Sequence, residues 1–153
     1  MGAAELHEFM AGAFDRPLTW QIERVDLEGV RVRQPVGGAD LRPGGTVSGP
    51  TLMSLADGVA YIAVLSRIGP AALAVTTNLN INFLRRPRPV DLVADARIIK
   101  LGRTLALCEV QMYSDGGDPA DLQRPVAQSV VTYSMALVNQ PDPTARDAGG
   151  GTT

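Results

Sequence analysis

Residues 48–67 read SGPTLMSLADGVAYIAVLSR, and how this stretch folds decides the architecture. Pro50 suits the first turn of a helix, where a backbone N–H would lack an intrahelical acceptor in any case. Ser48, two residues earlier, is the residue type that caps such a start with its hydroxyl. From Leu52 to Leu65 the stretch is apolar nearly all round, and the helix is expected to end at Ser66 or Arg67, before Gly69-Pro70. Such a helix has no broad polar face and must be covered on most sides. Its apolar run is broken by Ser54, Asp57 and Gly58 and falls short of the roughly 20 residues a bilayer requires. It therefore reads as a core helix, with no membrane partner expected.

The flanking sequence supplies the cover. Upstream, residues 5–14 predict a short amphipathic helix, and residues 20–26 and 29–35 two strands turning at Glu28-Gly29. Residues 37–45 are glycine-rich and are expected to form a loop. Downstream, residues 75–83 alternate, placing Val75, Thr77, Leu79, Ile81 and Phe83 on one face. Thr76, Asn78, Asn80 and Asn82 then form a polar face, suited to solvent or a subunit interface. Residues 91–101 and 104–113 predict a hairpin turning at Gly102-Arg103, residues 115–124 a polar loop, and residues 125–138 a last strand. Helix and strands are not interleaved, so the class is α+β with an antiparallel sheet. A helix over 50–67 spans roughly 27 Å, close to about eight strand residues. An antiparallel sheet wrapped around one long central helix satisfies both requirements. Residues 1–16 are thus an N-terminal helical segment and 17–138 one domain, while 139–153, almost without apolar residues, read as a disordered tail.

Composition removes several functions. The chain has 153 residues, 45% hydrophobic and 20% charged, which fits one soluble globular domain. A net charge of −2 argues against a general nucleic-acid binder. The single cysteine, Cys108, precludes an intramolecular disulfide and fits a reducing compartment; residues 1–5 lack the basic start of a secretion signal, so the expected location is cytoplasmic. The single histidine, His7, lies before the main body, which counts against a Ser-His-Asp or Cys-His catalyst and against a Cys/His metal site. His7 reads as a surface residue and Cys108 as core.

Three features can carry chemistry. Asp57 is the only acid or base from Gly49 to Ser66 apart from the Tyr61 phenol. A carboxylate in an apolar helix must be exposed, bonded to a backbone N–H, or placed to act. Ser48-Gly49-Pro50 is the second: unpaired N–H groups at a helix start can receive an oxyanion, and Pro50 leaves the Gly49 N–H best placed. A plain N-cap by Ser48 is the other reading. The third is basic: six positive residues (Arg85, Arg86, Arg88, Arg97, Lys100, Arg103) face two acids (Asp91, Asp95) between 85 and 103, a local +4. Arginines recognise phosphate bidentately, although such residues also form ordinary solvated rims.

The ordered blocks bearing these residues resemble a known family. Gly45-Thr46-Val47-Ser48-Gly49-Pro50-Thr51, followed by Leu55-Ala56-Asp57, resembles the HGG…LAD signature of small hotdog-fold acyl-CoA thioesterases of the phenylacetate-pathway type. Thr76 to Arg85 is similar to that family's VDLNINFLRP strand, and Val93–Arg97 through Leu101-Gly102-Arg103 to its next hairpin. The resemblance spans roughly residues 40–138. It implies a hotdog fold and hydrolysis of an acyl-CoA, small, medium-chain or aromatic, with coenzyme A entering as part of the substrate and no separate cofactor. It makes Asp57 the general base or nucleophile, Gly49 the donor that polarises the thioester carbonyl, and Thr76 a hydroxyl that orients water. Ser48 and Pro50 stand in the substrate-binding loop, and Arg85, Arg86 and Arg103 fall where coenzyme A phosphates are met. It further implies a homodimer with the site at its interface, the carboxylate and the oxyanion donor coming from different subunits, and commonly a dimer of dimers. Ser48 replaces the family's histidine and Pro50 its second glycine. That departure motivates the alternative of a hotdog module that binds acyl-CoA without hydrolysing it. A hotdog dehydratase would need a histidine near the helix or strands, and a purely structural module would have no use for Asp57.

Overall fold

The computed structural model describes residues 1–13, 19–71 and 73–136. Helix α1 (Ala3–Ala13) precedes a hairpin of β1 (Gln21–Asp26) and β2 (Gly29–Gln34). A two-stranded ribbon, β3 (Leu41–Arg42) and β4 (Thr46–Val47), leads into α2 (Gly49–Ile68). Four strands follow: β5 (Val75–Phe83), β6 (Asp91–Leu101), β7 (Leu105–Asp115) and β8 (Ala127–Ser134). Six of the strands form one antiparallel sheet in the order β1-β2-β6-β7-β8-β5. The sheet curves around α2, which packs against β2, β5, β6, β7 and β8, while α1 lies over β1 and α2. This is the helix-in-sheet hotdog arrangement.

The apolar sequence of α2 explains its place. Leu52, Leu55, Ala56, Val59, Ala60 and every residue from Tyr61 to Leu65 are buried. By length and composition the 20-residue helix could cross a bilayer, yet more than half of it is covered by the protein's own sheet. Strand β7 alternates strictly, sending Ala106, Cys108, Val110 and Met112 toward the helix. Cys108 is fully buried, as its apolar setting predicts, and burial pushes its thiol up to about 12. His7 is exposed.

Two expectations need correction. The segment read as a plain loop, residues 37–45, contains a short 3₁₀ turn (Gly38–Asp40) and half of the β3–β4 ribbon. Gly44 and Gly45 turn that ribbon with φ of +100° and +77°, a conformation glycine adopts without steric cost. The second concerns β5. Its register against β8 shifts between Thr76 and Asn78, so Thr76 pairs with Tyr133 and Asn78 with Thr132. Partners across an antiparallel pair share a face, and β8 buries Ala127, Ser129, Val131 and Tyr133. Leu79, Ile81 and Phe83 therefore face inward as expected, but Val75, opposite Ser134, faces outward. Thr76 leaves the polar face of Asn78, Asn80 and Asn82 and turns inward. An unpaired extra residue resets the two-residue period at a bulge. The polar loop at 115–124 holds a 3₁₀ turn (Pro119–Gln123), and the expected tail, 139–153, lies outside the described residues.

Candidate active site

Asp57 lies on a stretch of α2 that is only partly covered: Met53 and Ser54 are exposed and Asp57 is half-buried. Two hydroxyls converge on one oxygen of its carboxylate. Thr76 Oγ1 donates to Asp57 Oδ1 at 2.5 Å, a contact made possible by the bulge in β5. Tyr133 Oη lies 2.7 Å from the same Oδ1 and 2.7 Å from the main-chain oxygen of Asp57. Desolvation, and secondarily the neighbouring carboxylate, push the Tyr133 hydroxyl far above its usual range, so it remains protonated and donates. Its ring is stacked on Tyr61 with centroids 5.7 Å apart. Among the described residues nothing bonds Oδ2 of Asp57.

Gly49 belongs to a second cluster. Ser48 caps α2, its Oγ accepting from the Thr51 N–H at 3.3 Å and lying 2.9 Å from Thr51 Oγ1. The Ser48 N–H donates to Asp40 O at 2.8 Å, which ties the cap to the turn before the ribbon. The N–H of Gly49 has no acceptor among the described residues. Gly49 lines a groove of about 590 Å³ together with Arg42, Leu52, Phe83, Arg85 and Arg86, among others. Phe83 is the closest wall: a Cβ on Gly49 would sit 3.5 Å from its ring.

Of the residues expected at a site, then, Asp57 and Thr76 meet, and Gly49, Arg85 and Arg86 meet beside Ser48. Pro50 is exposed in the first turn of α2. The two groups do not coincide within one chain, because eight residues of helix separate Gly49 from Asp57, about 12 Å along the axis. Arg103, expected with Arg85 and Arg86, stands instead in the β6–β7 turn, by the end of β8 that pairs with the start of β5. Sequence reasoning missed Tyr133 and Arg42. Tyr133 shares the inward face of β8 with Ala127, Ser129 and Val131 and carries no local signal; its pairing with Thr76 and its bonds to Asp57 identify it. Among the described residues, no cluster of His, Cys, Asp and Glu could hold a metal ion.

Comparison with known proteins gives this geometry a family. The model of the thioesterase superfamily matches residues 44–120, which include Gly49, Asp57, Thr76, Arg85 and Arg86. The chain belongs to the thioesterase superfamily. Thioester hydrolysis is accordingly its general chemistry. A solved structure from Silicibacter sp., assigned as a thioesterase, is 38% identical, with 88% of this chain and 91% of that one covered and a TM-score of 0.77. Thioesterase superfamily member 2 of zebra fish is 19% identical over 88% of this chain and 99% of its own, TM-score 0.74. A phenylacetic acid degradation-related protein from Ralstonia eutropha, 24% identical over 82% and 98%, has a TM-score of 0.68. These last two likenesses are of fold. None of the curated proteins matches the chain.

Proposed function

We propose that the protein hydrolyses acyl-CoA thioesters, with Asp57 as general base or nucleophile and the Gly49 N–H as oxyanion donor. The observation that carries this reading is the Asp57 carboxylate, held at one oxygen by Thr76 and Tyr133 and open at the other on the partly covered face of α2. The groove at Gly49 suits the other end of the substrate: its apolar floor of Leu52 and Phe83 takes a flexible chain, and Arg42, Arg85 and Arg86 suit phosphates.

In this reading a dimer completes the site. Strand β5 is an edge of the sheet, nine residues long, and most of it is exposed. Such an edge is a template for pairing with another chain. Gly49 touches one end of β5 through Phe83, and Asp57 touches the other through Thr76. Two-fold antiparallel pairing of β5 with a second copy, centred between Leu79 and Asn80, sets Phe83 opposite the partner's Thr76. The Gly49 groove of one subunit then adjoins the partner's Asp57, and the partner's Arg103 moves toward Arg85 and Arg86. A dimer of dimers in the cytoplasm is the assembly and location this reading adopts.

The test is thiol release from acetyl-, octanoyl- and phenylacetyl-CoA by wild type and Asp57→Asn. Hydrolysis that collapses in Asp57→Asn supports the reading. Equal activity of the two proteins overturns the role of Asp57. Binding of these thioesters without hydrolysis favours a ligand-binding module, the reading motivated by Ser48 in the place of a histidine.

A further inference from the structure

We propose that Tyr133 is a positioning residue which, with Thr76, saturates Oδ1 of Asp57 and leaves Oδ2 alone to work on the thioester. The inference rests on the hydrolytic reading above and concerns which carboxylate oxygen acts and what fixes it. A free carboxylate has two equivalent oxygens and rotates about its terminal torsion. Here Thr76 Oγ1 at 2.5 Å and Tyr133 Oη at 2.7 Å converge on the same oxygen from β5 and β8, so the rotation is stopped. Both bonds involve a charged acceptor and are of the stronger class.

The Tyr133 hydroxyl has a second acceptor at equal range, the main-chain oxygen of Asp57 at 2.7 Å. One proton cannot serve both at once. While Asp57 is ionised, Oδ1 is the stronger acceptor. In the general-base route water passes a proton to Oδ2 as its oxygen bonds to the thioester carbonyl carbon. Oδ1 then weakens as an acceptor, and the hydroxyl turns to the main-chain oxygen without displacement of a heavy atom. When the tetrahedral adduct collapses, the C–S bond breaks, the thiolate takes the proton from Oδ2, and Tyr133 turns back to Oδ1. Acid and thiol leave, and Asp57 is again ionised. Burial holds the Tyr133 hydroxyl protonated throughout, so it donates and does not compete as a base. The stack on Tyr61 fixes the ring from which the hydroxyl projects.

The experiment compares kcat and KM of Tyr133→Phe with wild type by thiol release from the same three acyl-CoA thioesters. Tyr133→Phe retains the stacked ring and is expected to lose about ten- to a hundredfold in kcat with KM changed less than about twofold. Thr76→Val is expected to behave alike, and the double variant to lose less than the product, because both hydroxyls act on one oxygen. Tyr133→Met, which keeps apolar volume and removes the donor, replaces Tyr133→Phe if that protein does not fold. A kcat for Tyr133→Phe within about twofold of wild type, with Asp57→Asn inactive, overturns the inference and leaves the hydrolytic reading standing. A silent wild type, or an Asp57→Asn protein as active as wild type, overturns both.

Discussion

Asp57 and Gly58 are adjacent on α2 and face different neighbours. Asp57 meets β5 and β8, whereas Gly58 lies against Trp20, whose indole would come within 2.2 Å of a Cβ at that position. Glycine is required there because an aromatic ring rests on bare helix backbone. Gly58→Ala should displace the indole and destabilise the fold by about 1–3 kcal/mol. The only tryptophan reports the change directly, as a red shift of intrinsic emission in the folded protein. At Ser48 the consequence is smaller. Its hydroxyl satisfies the Thr51 N–H, and Ser48→Ala should cost about 1 kcal/mol, read from urea unfolding. Asp57 was legible as chemistry because a carboxyl in an apolar helix needs a reason. Tyr133 was not, because a tyrosine on the buried face of a strand looks like core until its hydrogen-bond partners are placed.

At the scale of elements, α2 and the β6–β7 hairpin were readable for different reasons. Pro50 and Ser48 mark the start of the helix and Gly69 its end, while Gly102-Arg103 marks the turn between strands that alternate. The bulge in β5 was not readable. Thr76 and Thr77 are alike in strand propensity, and only pairing with β8 determines which of them faces the helix. The ribbon of β3 and β4 escaped because each strand is two residues long. The outer face of the sheet carries its own prediction. Arg33 on β2 bridges Glu23, Asp91 and Asp115, and Arg97 on β6 pairs with Glu109 on β7. Hydrogen bonding, chiefly from Arg33, holds the Asp115 carboxyl below its usual range, and Gln111, then Arg97, do the same for Glu109. A carboxyl depressed in the folded state stabilises the protein above its unfolded value, about 4, and that contribution disappears as pH falls through the lower folded value. The urea midpoint should therefore drop as pH falls below about 4. Arg33→Met should reduce that drop, whereas an unchanged profile would remove these pairs from the account.

At the scale of the whole molecule, the two candidate clusters lie toward opposite ends of one strand. The sheet has an open edge at β5, with the Asp57 cluster near its start and the Gly49 groove near its finish. Monomer geometry keeps these about 12 Å apart along α2, and in the dimer we propose, two-fold pairing through the edge would join them in trans. Wrapping of the sheet around the helix was foreseeable from the apolar girth of α2 and the matching strand lengths. A site divided between subunits was expected only from the family resemblance, because composition and periodicity do not say which strand of the sheet ends up unpaired. The most direct measurement of this central claim is complementation between two inactive chains. Asp57→Asn lacks the carboxylate, and Gly49→Trp fills the groove. Co-expressed with different tags and purified as a mixed dimer, they should regain about half of the wild-type thiol-release rate, because one of two sites is intact. A mixed dimer as inactive as either parent would contradict a site shared between subunits.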